Sequence, residues 1–275
     1  MLSISPALTG AYLANNHKIA GFEFLLVAIL VGPCISGIAE IVNDYSDRET
    51  DKQQNVKRIW KFPFSGGSGV VRIGGITKKE TIATALLFSA AAFAISLLFN
   101  WQVTILTAIG LFIALEYSLG PIHAKIRGVW GTLFFASGYR GIVSFNLGWA
   151  AFLPINNHSF TISFLISLFF FSAFVISHLS DYKEDKKLSI NTFPVQVGFE
   201  NAKKISGTIF VIGLFLLAIA DQQKIITINY LAFAWIPASV FFLWKYFGLK
   251  DDPGKIADLA NWAIAIVLTA PLIFI

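Results

Sequence analysis

Two acidic clusters in this chain have residue types and spacings that can do chemistry. The first reads Asn43-Asp44-Tyr45-Ser46-Asp47-Arg48-Glu49-Thr50-Asp51, the second Asp181-Tyr182-Lys183-Glu184-Asp185. Asn43, Asp47 and Asp51 recur every fourth residue, as do Asp181 and Asp185. On a helix that spacing stacks each set on one face. Stacked carboxylates repel, so a cation must offset them. All-oxygen donors suit magnesium, which takes one or two carboxylates and completes its shell with water and phosphate. The pattern predicts Mg2+ at both clusters, with a diphosphate between them. The second cluster alone is a weaker signal, because a DxxxD spacing is common by chance. Its symmetry with the first strengthens it.

Cations are expected nearby. Tyr117 and Ser118 precede a Gly120-Pro121 turn, after which Lys125 and Arg127 present positive charge. A departing diphosphate accumulates negative charge that Lys, Arg and a metal can stabilise. Lys186 directly follows Asp185 and is a further diphosphate ligand candidate beside the ordinary basic residues Lys183 and Lys187. His123 reads as a solvated loop histidine. Tyr139 and Arg140 lie inside an apolar run. A charge at membrane depth is costly and faces a protein cavity, so Arg140 is expected to pair with an acidic side chain or bind an acidic acceptor. The stretch from Phe62 to Gly69 is rich in glycine and serine but lacks the GK[ST] of a phosphate-binding loop. It reads as a connector or a flap over the site.

These residues must be positioned by membrane helices. Of 275 residues, 56% are hydrophobic and only 13% charged, against roughly 25% charged in a soluble domain; mean hydropathy is +0.69. A helix needs about 20 apolar residues to span a bilayer. Candidate spans run near 1–15, 20–42, 81–99, 102–118, 129–153, 160–180, 204–220, 227–245 and 256–275. Sorting the loops of that arrangement puts eighteen of the 21 Lys and Arg on one side and leaves Lys18 and Lys224 on the other, with Arg140 inside. The positive-inside rule makes the eighteen-charge side cytoplasmic. Both acidic clusters fall there, at the ends of the second and sixth spans. That equivalence hints at duplicated halves, roughly 1–118 and 129–245, with 256–275 added, inside one intramembrane domain. The start of the chain has no basic n-region or cleavage site, so it does not read as a signal peptide. Cys34, the one cysteine, reads as helix packing. Net charge +5 is explained by the loop asymmetry and does not call for nucleic acid.

Taken together, the motifs resemble the UbiA superfamily of intramembrane prenyltransferases. Asn43-Asp44-xx-Asp47-xxx-Asp51 resembles its NDxxDxxxD motif. Asp181-xxx-Asp185, continued by Asn191-Thr192-Phe193-Pro194-Val195-Gln196-Val197-Gly198, resembles its second motif and the TLPVxxG tail. Tyr117-Ser118, Pro121 and Lys125 resemble its YSxPPxxxK element, with Gly120 at the first proline. The resemblance covers essentially the whole chain. It implies an all-α integral membrane protein of about nine transmembrane helices around a central cavity, with a cytoplasmic cap. It implies Mg2+-dependent transfer of an isoprenyl group from an isoprenyl diphosphate to a lipophilic, aromatic or quinone-precursor acceptor, through an allylic carbocation. Asn43, Asp47, Asp51, Asp181 and Asp185 would hold the metal and diphosphate, and Lys125 and Arg127 the diphosphate. The family's RPxPSG segment is matched only by Lys61-Phe62-Pro63-Phe64-Ser65-Gly66, without the leading arginine, which leaves the acceptor open among phenolic acids, quinone precursors, tetrapyrroles and glycerol phosphates. The same framework also fits a membrane terpene cyclase. A transporter or a noncatalytic prenyl-lipid binder are the competing readings outside that chemistry. Membrane lipids are the other expected contacts, and nothing in the sequence sets an oligomeric state.

Overall fold

The computed structural model describes residues 3–19, 21–53, 77–269 and 273, with no side chain described at 48–53, 253 and 257. Among them there are helices and turns and no strand. In order these are α1 (Ile4–Ala14), α2 (Phe22–Ile29), a π-helical segment (Leu30–Ser36), α3 (Gly37–Gln53), α4 (Lys78–Ser96) and α5 (Trp101–Ser118). After the 3-10 turn Ala124–Ile126 come α6 (Val129–Thr132), a second π-helical segment (Leu133–Val143), α7 (Ser144–Ala150) and α8 (Asn157–Ser180). The short helices α9 (Tyr182–Lys187) and α10 (Phe193–Val197) lead to α11 (Phe199–Gln222), α12 (Ala232–Phe247) and α13 (Pro253–Thr269).

Five of the expected spans hold helices long and apolar enough to cross a membrane: Phe22–Asp47, Lys78–Ser96, Trp101–Ser118, Asn157–Ser180 and Phe199–Gln222. The stretch expected at 129–153 is helical but alternates α, π and α, and α12 is apolar but shorter. Outer faces carry large exposed apolar side chains, among them Leu86, Leu87, Phe215 and Phe233, the last 85% exposed. A water-soluble protein does not present apolar surface on that scale; lipid accepts it. The chain is an integral membrane protein.

The helix ends are written locally. Thr77 and Glu80 close a capping box at the start of α4, and Asn156 and Ser159 do so for α8. The Asn100 carboxamide oxygen accepts from the backbone N–H groups of Gln102 and Val103, and its Nδ2 donates to the Ala150 carbonyl at 2.6 Å. One side chain thus starts α5 and ties it to the end of α7. Pro33 has no N–H to donate, and the chain passes it in the wider turns of the first π segment.

Helix α8 is the axis of the packing. It is buried along most of its length, with Phe169, Phe170, Phe171 and Val175 all under 4% exposed, as expected of a helix apolar all round. Most of it belongs to a core shared with α11, α12 and α13, while Phe174 belongs to a second core built from the first π segment, α3, α5 and the second π segment. Small residues allow the closest approaches. A Cβ on Gly148 would lie 1.8 Å from the Ala7 carbonyl oxygen, and one on Gly10 2.1 Å from that of Phe145, so α1 and α7 meet backbone to backbone.

Candidate active site

The site forms where α3, α5, the turn after α5 and the α8–α9 junction meet. Ser118, the last residue of α5, donates to Asn43 Oδ1 at 3.0 Å, and Ser46 donates back to the Ser118 carbonyl at 3.0 Å. This pair fixes the register of α3 against α5. It brings Asp47 to Lys125, with which it forms an ion pair and hydrogen bond in a half-buried setting. All of the first cluster lies on α3, as its spacing predicts. Asp44 is buried. The Asp51 side chain and the 62–69 connector lie outside the described residues.

The second cluster reaches the same place by a different geometry. The spacing predicts one continuous helix, but Asp181 (φ −99°, ψ 2°) is the joint between α8 and α9. The Asp185 N–H still bonds the Asp181 carbonyl at 2.9 Å, so the one-turn relation survives the joint. Asp185 is buried and accepts a hydrogen bond from Thr192 at 3.0 Å. Burial first, and Asp181 second, push its carboxyl up to about 7; Thr192 and Lys125 pull the other way, and Asp47 adds to the push. Asp47, Asp181 and Asp185 therefore share one field, with Lys125 acting on both clusters.

The turn that carries Lys125 is held in shape by its neighbours. Gly120 has φ +74°, and the Glu116 carboxylate accepts from the Ile122 N–H at 3.0 Å. A proline is confined to φ near −65°, so glycine at the family's first proline position is a requirement of this turn. At its far end Gly128 (φ +57°) bridges to Thr192, and the Val129 N–H donates to Gln196 Oε1 at 2.8 Å. A Cβ on Gly131 would lie 1.7 Å from the Ala124 carbonyl oxygen, so the start of the fifth membrane stretch presses directly on the turn. The tail behind the second cluster thus braces the loop that serves the first.

Beneath the carboxylates lies an aromatic layer. Tyr117 is buried and stacks on Phe135 at 4.1 Å, with its hydroxyl 3.5 Å from His178 Nε2. Arg140 lies over Phe135 and Phe174, at 4.9 and 5.4 Å from their centroids, and pairs with Glu40 at 3.6 Å. Among the described residues, the acidic partner of Arg140 is Glu40. Tyr139 is buried and shares a 2.9 Å hydrogen bond with Ser36 across the two π segments. The two π segments are thus joined by a buried polar contact.

Two expected ligands stand apart. Arg127 is exposed and donates from Nε to the Ile122 carbonyl at 2.9 Å, bracing its own loop. Lys186 is exposed, with its ammonium 5.8 Å from the Tyr182 ring centroid. Among the described residues no three His, Cys, Asp or Glu side chains gather closely enough to hold a metal by themselves. The donor set still fits Mg2+, which takes one or two protein carboxylates and relies on phosphate and water for the rest. Glu40, Ser118, His178, Thr192 and Gln196 were not singled out from the sequence as site residues. Glu40 had a legible signal, an ionisable group inside an expected span; Ser118, Thr192 and Gln196 lay inside the quoted motifs, and His178 is a polar residue placed by the fold.

The chain matches the model of the UbiA prenyltransferase family over residues 3–265. It is 33% identical to the bacteriochlorophyll synthase 34 kDa chain of Chloroflexus aurantiacus over 192 residues, covering 70% of this chain and 57% of that protein. It is 30% identical to the bacteriochlorophyll synthase 33 kDa chain of Rhodobacter capsulatus over 216 residues, covering 75% and 63%. The chain thus spans about three fifths of the length of these curated relatives. Among solved structures, a UbiA homologue from Aeropyrum pernix K1 superposes with a TM-score of 0.74 at 18% identity, covering 99% of this chain and 96% of that one. A UbiA homologue from Archaeoglobus fulgidus bound to DMAPP and Mg2+ gives 0.68 at 16% identity, with the same coverage. The motifs, the helical architecture and the length of the family match agree, and this chain belongs to the UbiA prenyltransferase family.

Proposed function

We propose that this protein transfers an isoprenyl group from an isoprenyl diphosphate to a lipophilic aromatic acceptor inside the membrane, with Mg2+ as cofactor. The observation that carries this reading is Lys125, which pairs with Asp47 and at the same time acts on the buried Asp185. One cation between two carboxylate clusters marks where a metal-bound diphosphate would sit. Asn43, Asp47, Asp181 and Asp185, with Asp51 by position on α3, are the groups that would hold the metal. When bound, magnesium supplies charge neutralisation of the leaving diphosphate.

The chain's own residues do the rest. Lys125 moves from Asp47 toward the diphosphate oxygens and stabilises charge as the carbon–oxygen bond breaks. Ser118 keeps Asn43 turned to the same mouth. Tyr117, Phe135 and Phe174 wall off water below it, and their ring faces can stabilise an allylic cation. Arg140, partly accessible at 14% of its side-chain surface, is placed to receive an anionic group of the acceptor in exchange for Glu40. The relatives named for bacteriochlorophyll synthesis make a tetrapyrrole acid the first acceptor to try. We read the nine expected stretches as one ring of transmembrane helices around this cavity. The eighteen-charge side, the site mouth and a cap formed by the loops would face the cytoplasm.

The test is turnover of labelled prenyl diphosphates by purified protein with a panel of acceptors, with and without Mg2+, and product identification by mass. A prenylated acceptor formed only with Mg2+ is expected. A cyclic hydrocarbon made without acceptor, or no consumption of any prenyl diphosphate, would overturn the reading.

A further inference from the structure

A second cavity lies away from the carboxylate mouth, between the end of α12 and the start of α13. Its volume is about 530 Å3. None of its lining residues belongs to the site above. Phe242, Leu249, Leu259 and Trp262 make its apolar wall, and Lys245 and Lys255 stand on its rim with Asp258. Trp244 and Trp262 are 66% and 55% exposed, which places two indoles at the outer surface of a membrane protein. Tryptophan concentrates at the lipid headgroup level. The Lys245 ammonium sits 4.4 Å from the Trp244 ring centroid and 5.7 Å from that of Phe241. That contact holds the charge over the groove, and no acidic side chain pairs with it among the described residues. Lys255 pairs with Asp252 at 3.6 Å in an exposed setting, a contact of little strength that an incoming anion can replace.

We propose that this groove binds one anionic phospholipid with a hydroxylated headgroup, of the phosphatidylglycerol type. The phosphate takes Lys245 and Lys255, Asp258 accepts from the headgroup hydroxyls, and an acyl chain lies along Phe242, Leu259 and Trp262. Lys245, which no acidic side chain pairs with among the described residues, and the weakly paired Lys255 favour an anion. The carboxylate disfavours a lipid that offers only a second anionic group. The apolar wall distinguishes a lipid from free phosphate, which has nothing to place there.

The full-length protein is extracted in mild detergent and exchanged against defined lipids, and retained lipid is counted by native mass spectrometry. Phosphatidylglycerol should be retained more strongly than phosphatidylcholine or phosphatidic acid. The double substitution Lys245→Gln with Lys255→Gln should lower its retention about tenfold or more, since each lysine near an anionic headgroup contributes. Phosphatidylglycerol with brominated chains should quench the wild-type fluorescence more than the same lipid quenches Trp262→Phe. That second measurement stands even if the lysine variant folds poorly. Equal retention of phosphatidylglycerol and phosphatidylcholine, retention of inorganic phosphate in place of lipid, or a dimer that buries the groove would each overturn the proposal.

Discussion

Asp185 is a carboxylate that the fold makes uncomfortable. Burial and its neighbour Asp181 hold its pKa up at about 7, far above the ordinary value near 3.9. A raised acid pKa means that the folded chain binds a proton which the unfolded chain has released. Stability of the metal-free protein should therefore fall as pH rises from about 4 to about 7, then level off, a span on the order of a few kcal/mol. Asp185→Asn should flatten that slope and raise the melting midpoint at pH 7.5 while abolishing turnover; melting curves across pH with and without Mg2+ test both halves. Asp47→Asn should cost roughly 100-fold or more in activity and leave the detergent-solubilised protein folded by circular dichroism. Wild-type turnover in that variant would remove Asp47 from the site. These carboxylates were legible because their spacing survives in space, even across the joint at Asp181. For Arg127 and Lys186 the sequence shows charge beside a motif but not where a long side chain points. The turn directs Arg127 back to Ile122.

At the scale of elements, the turn between α5 and α6 decides where Lys125 sits. Replacing Gly120 by proline would restore the family's sequence pattern, yet φ +74° excludes that ring. Gly120→Pro should therefore reduce turnover and raise KM for the prenyl diphosphate, with little change in far-UV dichroism; an improved enzyme would refute the local account. The α1–α7 crossing makes a separate claim. Gly148→Val should lower the melting midpoint by an amount equivalent to about 3 kcal/mol or more, because the atom it meets, the Ala7 carbonyl oxygen, is backbone and cannot rotate away. Helix positions were readable from apolar runs, since every stretch expected to span holds helix among the described residues. The two π segments were not. Period alone does not reveal an i+5 hydrogen bond.

On the scale of the whole molecule, the chain sets charged groups among helices whose outer faces are apolar. Arg140 and Glu40 belong to this scale, because they join α3 to the second π segment beneath the mouth. Arg140→Met alone takes the guanidinium away from Glu40, whereas Arg140→Met with Glu40→Gln removes both charges. The double variant should be more stable than the single, by a coupling of about 1 kcal/mol after allowing for partial exposure. Additive effects in a double-mutant cycle would show that the pair is not coupled. The proposed orientation is tested by labelling: Lys183→Cys should react with a membrane-impermeant maleimide only when the cytoplasmic face is open. What linear reading could not supply was the pairing of distant segments, such as Gly128 with Thr192 or Glu40 with Arg140.

The Lys125–Asp47 contact has a last consequence for the resting enzyme. A docking position already tenanted by its own ammonium cannot simply be filled; the visitor must evict the lodger. On the proposed mechanism, arrival of the diphosphate would be a swap, in which the freed lysine turns from caretaker of a carboxylate into host of the leaving group. Shortening that side chain to methionine should let bare divalent ions settle more readily while the enzyme forgets how to use them.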